Sequence, residues 1–166
     1  MTLRSAGPQD SALLAAILVR TWRDRYPGLV SADVLAGLDE QGFSDWFARV
    51  LSPPTRHHAT VARVDGTDVG FIHTGPDEED PARGMVHSFY VAAPFSGRGV
   101  GGALLSHAVA ELVAEGYREI TLWVFKENAP AVRLYTRAGF RADGAERVEA
   151  AFGVLEQRLR LQCRQR

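Results

Sequence analysis

The stretch from Val91 to Leu105 reads VAAPFSGRGVGGALL and joins an apolar strand to an amphipathic helix through a turn with four glycines. Glycine has no Cβ, so the backbone N–H groups of such a turn can approach an anion closely. The start of a helix adds unpaired N–H donors and the positive end of the helix dipole. The stretch therefore predicts a binding site for a phosphate group.

Length, charge and cysteine content restrict the class of protein. A chain of 166 residues predicts a single domain, residues 1–166, that folds without metals or disulfides. The 19 basic and 20 acidic side chains leave a net charge of −1, which argues against a nucleic-acid partner. Cys163 is the single cysteine, and no apolar run approaches the roughly 18 residues of a membrane span. We therefore expect a cytoplasmic protein with no membrane partner.

The order of predicted elements indicates an α+β fold. Apolar stripes predict five helices. The first begins near Asp10, the second runs from about Ala32 to Leu38, the third passes through Trp46 to Leu51, the fourth follows the glycine turn to about Glu115, and the fifth lies between Asn128 and Gly139. Period-two runs predict strands at Thr2–Arg4, Thr60–Val64, Val69–Thr74, Met85–Val91, Ile120–Phe125 and Val154–Leu161, with a hairpin turn at Asp65–Asp68. This order predicts a mixed sheet with helices packed on it.

The glycine turn has several possible interpretations. Gly97 to Gly102 satisfies the dinucleotide pattern G-x-G-x-x-G. However, Pro94-Phe95-Ser96 separates the strand from the glycines, a hairpin precedes the unit, and the rest of the chain is too short for a second mononucleotide half. A Walker loop is excluded because Gly101-Gly102-Ala103 stands where Gly-Lys-Ser/Thr is required. A purely structural turn would need only one or two glycines.

Two segments resemble the GNAT superfamily of N-acetyltransferases, and the resemblance covers nearly the whole chain. Ser96-Gly97-Arg98-Gly99-Val100-Gly101 is similar to the family's Gln/Arg-x-x-Gly-x-Gly/Ala turn, with Ser96 departing from the usual Gln or Arg. Asn128 to Phe140 resembles the family's N-x-x-A-x-x-x-Y-x-x-x-G-F segment. The resemblance implies an α+β fold with a central, mostly antiparallel sheet, and acetyl-CoA as the acetyl donor.

The resemblance also implies roles for particular residues and a partner. Backbone groups of Phe89, Tyr90 and Val91 would bind the pantetheine arm, and Asn128 would hydrogen-bond the cofactor. The pyrophosphate would be held by Gly97, Arg98, Gly99, Val100, Gly101 and Gly102. A homodimer is a further expectation of the family. The implied reaction moves an acetyl group to a primary amine of a small molecule or peptide.

The chemistry of amide formation indicates which side chains to look for. An amine that attacks a thioester forms an oxyanion and expels a thiolate, so the site needs an oxyanion donor, an acid and a deprotonated amine. Tyr135 is the candidate acid, because a phenol with an ordinary pKa of about 10 can donate to the departing sulfur. The backbone N–H near Val91 is the candidate oxyanion donor. Tyr135 also fits a core position, since it shares a helical stripe with Ala131 and Leu134.

The general base is less clearly indicated. Many members of the family carry a glutamate near the position of Met85, and this chain has none there. His87 is the candidate substitute, alternating with Met85 and Phe89 on one strand face. A packed strand histidine, water, and the carboxylates of Glu78, Glu79 and Asp80 remain alternatives.

The acceptor is expected to bind near Trp22 and Tyr26, which are one helical turn apart, although either could be a core residue and core packing is favoured for Trp22. His57-His58 has no third ligand at metal spacing, so no metal is expected. The chain is therefore predicted to be an acetyl-CoA-dependent N-acetyltransferase. The alternative is a catalytically weak acetyl-CoA-binding regulatory module, suggested by the missing glutamate and by Ser96.

Overall fold

The computed structural model describes residues 1–163, and within them seven strands form one sheet. The strands are β1 (Thr2–Ala6), β2 (His58–Val64), β3 (Thr67–Pro76), β4 (Gly84–Val91), β5 (Glu119–Phe125), β6 (Arg141–Glu149) and β7 (Val154–Gln162). Their spatial order is β1-β2-β3-β4-β5-β7-β6, and β4 and β5 are the parallel pair in an otherwise antiparallel sheet. The predicted α+β fold with a mixed, mostly antiparallel sheet is confirmed.

Helices cover both faces of this sheet. They are α1 (Ser11–Arg25), α2 (Ala32–Ala36), α3 (Glu40–Val50), α4 (Val100–Ala114) and α5 (Ala129–Arg137). One buried cluster contains Leu104 and Leu112 of α4 together with Tyr135 of α5, and the other contains Leu14 of α1 and Phe47 of α3. No helix within residues 1–163 combines the length and apolar character needed to cross a membrane.

Local sequence explains several element boundaries. Asp65 and Gly66 have φ angles of 49° and 80° and form a two-residue hairpin turn with both central residues left-handed. The predicted hairpin is confirmed, but its turn is shorter than the predicted Asp65–Asp68 because β3 begins at Thr67. The Asn128 side chain accepts a hydrogen bond from the Ala131 N–H at 3.4 Å and caps α5. At the end of α4, the Tyr117 N–H donates to the Leu112 carbonyl across Gly116. These signals act over a few residues, which is why the sequence alone located them.

Strand β6 was missing from the sequence prediction. Its sequence, RADGAERVE, is polar and contains Gly144, and it lies at the edge of the sheet with most residues exposed. Without an apolar face there was no period-two hydrophobic pattern to detect. Strand β6 carries Arg147 and Glu149 to the cavity described below.

A β-bulge interrupts the pairing of β3 with β4. His73 pairs with Ser88 and Thr74 with Val86, so His87 has no partner residue on β3. The extra residue reverses the alternation of side chains. Phe89 consequently packs with Tyr135 in the cluster beside α4, whereas His87 stacks on His73. The prediction that His87 and Phe89 share one face was therefore wrong.

Candidate active site

The site lies where β4 and β5 separate. These strands pair at three positions: Gly84 with Ile120, Met85 with Thr121, and Val86 with Leu122. Beyond these pairs the two strands diverge toward their carboxyl ends. A cavity of about 240 Å³ occupies this opening. Four of the residues predicted from the motifs line it: His87, Phe89, Tyr90 and Asn128. Tyr135 lines it as well, so β4 and α5 bring the predicted catalytic residues together with Phe89 and Tyr90, whereas Val91 does not line the cavity.

The glycine turn lies between the end of β4 and α4. Gly97 and Gly99 have φ angles of 72° and 82°, a left-handed conformation that L-residues adopt only at a cost. A Cβ at either position, or at Gly102, would meet no atom within 4 Å, so the space in front of the turn is open. The Ala103 N–H donates to the Gly99 carbonyl at 3.0 Å, and the earlier amides of α4 have no helical acceptors. The turn thus fits an anionic group such as a pyrophosphate.

Other residues of the turn have different local roles. A Cβ at Gly101 would lie 3.3 Å from Leu134 Cδ2 and 3.6 Å from Phe89 Cζ, so this glycine allows α4 to pack closely on its neighbours. Val100 is buried, which leaves only its backbone for a ligand. The Arg98 guanidinium lies 5.3 Å from the centre of the Phe95 ring and adds positive charge beside the turn.

Tyr135 is presented by α5 on the wall of the cavity. Its ring packs against Phe89 and Phe140, with centroids 6.0 and 5.9 Å away. The residue is 7% exposed, and burial raises the pKa of its phenol above the ordinary value. Within residues 1–163 the phenol oxygen has no hydrogen-bond partner. The side chain therefore offers a protonated O–H group that the protein itself does not use.

The residues flanking Phe89 differ in their exposure to the cavity. Tyr90 lines the cavity, and burial raises the pKa of its phenol to about 12. Val91 instead packs against the cluster beside α4, so only its backbone groups are left to bind a ligand. Asn128 lines the cavity while its Oδ1 caps α5, so the atom that remains for a ligand is the amide nitrogen.

His87 occupies the bulge at the edge of the cavity. Its Nε2 lies 2.9 Å from the Pro76 carbonyl oxygen, and because a carbonyl can only accept, Nε2 carries the proton and donates. The neutral ring then presents Nδ1 as an acceptor. Burial lowers the pKa of His87, opposed by the Pro76 bond and by the charges of Glu78 and Asp77. A neutral imidazole with a free lone pair can accept a proton near neutral pH.

Two further histidines pack against His87. The centroids of His57, His73 and His87 are each 5.1 Å from the others, and His57 Nδ1 lies 3.0 Å from His73 Nε2. Burial lowers the pKa of His57 to about 4 and that of the fully buried His73 well below its ordinary value. Residues 1–163 contain no group of three or more His, Cys, Asp or Glu arranged to hold a metal ion.

The acidic loop between β3 and β4 is tied to the sheet rather than to the cavity. Arg158 of β7 pairs with Glu79 at 2.9 Å, and Arg83 pairs with Asp80 at 3.6 Å within the loop itself. Neither carboxylate lines the cavity. Glu78 influences the site only through its charge on His87. The structure gives the loop carboxylates no direct contact with the reaction space.

The opposite wall contains residues that the sequence analysis did not identify. Glu156 of β7 is 8% exposed, and its Oε2 accepts from Arg147 Nε of β6 at 2.7 Å. The Arg147 guanidinium lies 4.2 Å from the centre of the Trp123 ring. Trp22 and Tyr26, which were expected near the acceptor, line the same wall, and Trp22 is also buried. Glu156 reaches them because β7 pairs with β5, where Glu156 lies opposite Phe125, and no local sequence signal reveals this pairing.

Comparisons with known proteins agree with this fold. The sequence pattern of the acetyltransferase (GNAT) family matches residues 16–140. An uncharacterized N-acetyltransferase of Bacillus subtilis, YuaI, is 28% identical over 139 residues, which cover 81% of this chain and 77% of that protein. The PaiA N-acetyltransferase of Thermoplasma acidophilum, solved with coenzyme A, has a TM-score of 0.81 at 16% identity, covering 97% of this chain and 98% of that one.

A longer relative shares this domain as well. The mycothiol acetyltransferase of Actinosynnema mirum is 39% identical over 145 residues. The match covers 84% of this chain but only 44% of that protein, so the chain spans less than half of the relative's length. The family match extends over three quarters of the chain and includes both the glycine turn and α5. The chain therefore belongs to the acetyltransferase (GNAT) family, whose cosubstrate is acetyl-CoA.

Proposed function

We propose that this protein transfers the acetyl group of acetyl-CoA to a primary amine by direct attack of the amine on the thioester. The observation that carries the proposal is the cavity between the separated ends of β4 and β5. One wall offers the unpaired phenol of Tyr135, and the edge offers the neutral imidazole of His87. Acetyl-CoA supplies an activated acyl group, and the protein supplies an acid, an acceptor for the amine proton, and orientation.

The donor is assigned to the side of the cavity formed by β4, the glycine turn, α4 and α5, which we call the donor side. The backbone amides from Gly97 to Gly102 would bind the pyrophosphate, helped by the charge of Arg98 and the dipole of α4. Backbone groups of Phe89, Tyr90 and Val91 would bind the pantetheine arm. Asn128 would bind it through its amide nitrogen. The relative solved with coenzyme A supports this assignment.

Tyr135 is assigned the role of acid toward the departing sulfur. Burial holds its pKa high, so the phenol is protonated at any physiological pH. The same shift makes complete proton transfer to a thiolate unfavourable, because an ordinary thiol has a pKa of about 8.5. The phenol therefore acts chiefly as a hydrogen-bond donor to sulfur while charge develops there, and solvent restores any proton it gives up.

His87 is assigned the role of proton acceptor for the amine. The C–N bond forms as the C–S bond breaks, so the amine loses one proton and the sulfur gains one. Nδ1 of His87 takes the amine proton, since Nε2 is already committed to Pro76. The ring's lowered pKa keeps Nδ1 unprotonated and ready near neutral pH.

Release of free CoA thiol tests the proposal. The protein is incubated with acetyl-CoA and a panel of primary amines, and thiol appearance is followed together with the mass of the acetylated product. We expect amine-dependent thiol release with at least one member of the panel. Calorimetry with acetyl-CoA and with NAD, run in parallel, reports donor binding. Tight acetyl-CoA binding without turnover on a broad panel would instead favour the regulatory module, and preferential NAD binding would contradict both.

A further inference from the structure

Glu156 is a buried carboxylate with one oxygen left unpaired in the cavity. It lies on β7, opposite Phe125 of β5 and Arg147 of β6. Its Oε2 accepts the bond from Arg147, and its Oε1 has no hydrogen-bond donor within residues 1–163. Burial raises the pKa of Glu156, and Arg147 opposes that shift. Because Glu156 lines the cavity and Oε1 is not one of the enclosed unpaired atoms of the fold, a cation that enters the cavity can bind this oxygen without displacing a protein donor.

A second polar group, the Trp22 indole N–H, lies in the same cavity. Trp22 is 6% exposed, and its Nε1 has no hydrogen-bond acceptor of good geometry. The indole nevertheless lies close enough to Tyr90 to lower the pKa of that phenol against the larger effect of burial. The indole N–H thus interacts with Tyr90, and Glu156 Oε1 is the polar atom of this wall that is left for a ligand.

Aromatic rings surround these two groups. The centroid of the Trp22 ring lies 4.9 Å from that of Tyr26, 4.7 Å from that of Phe152 and 5.8 Å from that of Phe125. All four residues line the cavity. Aromatic rings attract cations through their quadrupoles, and they do so most strongly where water is excluded. A positively charged group would therefore be favoured here over an anion.

The charges of the wall point to the same ligand class. Two carboxylates, Glu149 and Glu156, face the cavity with one cation, Arg147, so the wall carries one excess negative charge. Arg147 is already engaged by Glu156 at 2.7 Å, by Glu149 at 3.8 Å and by the Trp123 ring. It is therefore not free to bind an acidic acceptor. At about 240 Å³ the cavity is also smaller than most ligand pockets, which favours a compact ligand.

We infer that this wall is the acceptor subsite and that Glu156 Oε1 binds the ammonium group of a small amine with no carboxylate beside the amine. The inference rests on the proposed function, and it adds the acceptor class and a specificity-determining residue. The aromatic rings enclose the cation, and Glu156 orients it toward the space between Tyr135 and His87. The bound ammonium first loses one proton to water, which frees the lone pair for attack, and the second proton passes to Nδ1 of His87 as the C–N bond forms.

Binding measured without turnover tests the inference separately from catalysis. Calorimetry is run in the presence of CoA with butylamine and phenethylamine, with the neutral isosteres butanol and 2-phenylethanol, and with the corresponding amino acids norvaline and phenylalanine. For at least one pair, we expect the amine to bind ten times or more tightly than both its neutral isostere and its amino-acid counterpart. Absence of binding by both amines, or equal binding of amine and isostere, would overturn the inference even if CoA release is observed.

A charge-matched pair of variants locates the effect. Glu156→Gln should weaken amine binding at least tenfold and abolish the preference over the neutral isostere. Glu146→Gln removes the same charge from β6, where Glu146 pairs with Lys126 outside the cavity, and should change amine binding by less than twofold. Acetyl-CoA affinity, measured for both variants, reports whether they are folded. A preference that persists in a folded Glu156→Gln variant would contradict the role of Glu156, whatever the CoA-release assay shows.

Discussion

The two sides of the cavity are built in different ways. The donor side comes from one continuous part of the chain, from β4 to α5, and depends on backbone conformation at the glycine turn. The acceptor subsite is assembled from α1, β5, β6 and β7, and depends on side chains. Trp22 and Phe152, only 4.7 Å apart between ring centroids, come from opposite ends of the sequence. Donor recognition is therefore encoded locally, whereas acceptor choice exists only in the folded sheet.

The largest expected effect separates chemistry from donor binding on the donor side. Tyr135→Phe keeps the ring that packs against Phe89 and Phe140 but removes the O–H group. We expect kcat to fall by about 10²–10³-fold, the range for loss of one acid or transition-state donor, with little change in acetyl-CoA affinity. Steady-state kinetics and calorimetry measure the two quantities.

The control for this variant is a second buried tyrosine outside the cavity. Tyr117→Phe removes a phenol that accepts from Arg56 Nη2 at 2.6 Å on the far side of the same core. It should leave kcat nearly unchanged. A Tyr135→Phe enzyme with wild-type kcat would show that Tyr135 is only a packing residue.

The next largest effect concerns His87, which lies between the two sides. His87→Gln should lower the rate about 10–100-fold at pH 7.5, because water must then accept the amine proton. Since burial lowers the pKa of His87, the wild-type advantage should hold at neutral pH and shrink as the pH falls through that pKa, below 6.5. The ratio of wild-type to variant rates, measured from pH 5.5 to 8, cancels the titration of the amine itself. A ratio that does not change with pH would exclude His87 as the base.

The contrast between the two sides also explains what the sequence could predict. The hairpin at Asp65-Gly66, the cap at Asn128 and the glycine turn are each specified by a few adjacent residues, and all three were located correctly. The bulge at His87 was missed because it depends on how β3 pairs with β4. Strand β6 was missed because an exposed edge strand has no apolar periodicity. Glu156 and Arg147 could not be paired without both strands in place.

The core beside α3 contains a fully buried histidine, His73, and its titration provides a smaller test. In the unfolded chain His73 binds a proton near pH 6.5, whereas burial prevents this in the fold, so unfolding takes up a proton below that pH. Stability should therefore be unaffected above pH 6.5 and fall as the pH drops below it. One fully buried histidine contributes a slope of up to about 1.4 kcal/mol per pH unit.

Urea unfolding at pH 7, 6 and 5 measures this slope. His73→Phe should make the slope shallower, because it fills the same space among Trp46 and Phe47 without a titratable ring. His107→Gln, on the exposed face of α4, should leave the slope as in the wild type. Equal slopes for wild type and His73→Phe would place the pH dependence elsewhere.

The smallest effect tests whether the donor side depends on backbone geometry. Gly99 is the N-cap residue of α4 and Gly116 follows the helix, and their φ angles are 82° and 98°. A Cβ meets no atom within 4 Å at either position, so Gly→Ala at each should cost only the strain of the left-handed conformation, about 1 kcal/mol of unfolding free energy. The two variants should differ in binding: Gly99→Ala shifts the amides that face the pyrophosphate and should weaken acetyl-CoA binding several-fold, whereas Gly116→Ala should not. Thermal unfolding and calorimetry on the same samples separate the two effects. Equal acetyl-CoA affinities at matched stability would mean that the turn binds its ligand through side chains, as the acceptor subsite does, and the distinction between the two sides would fail.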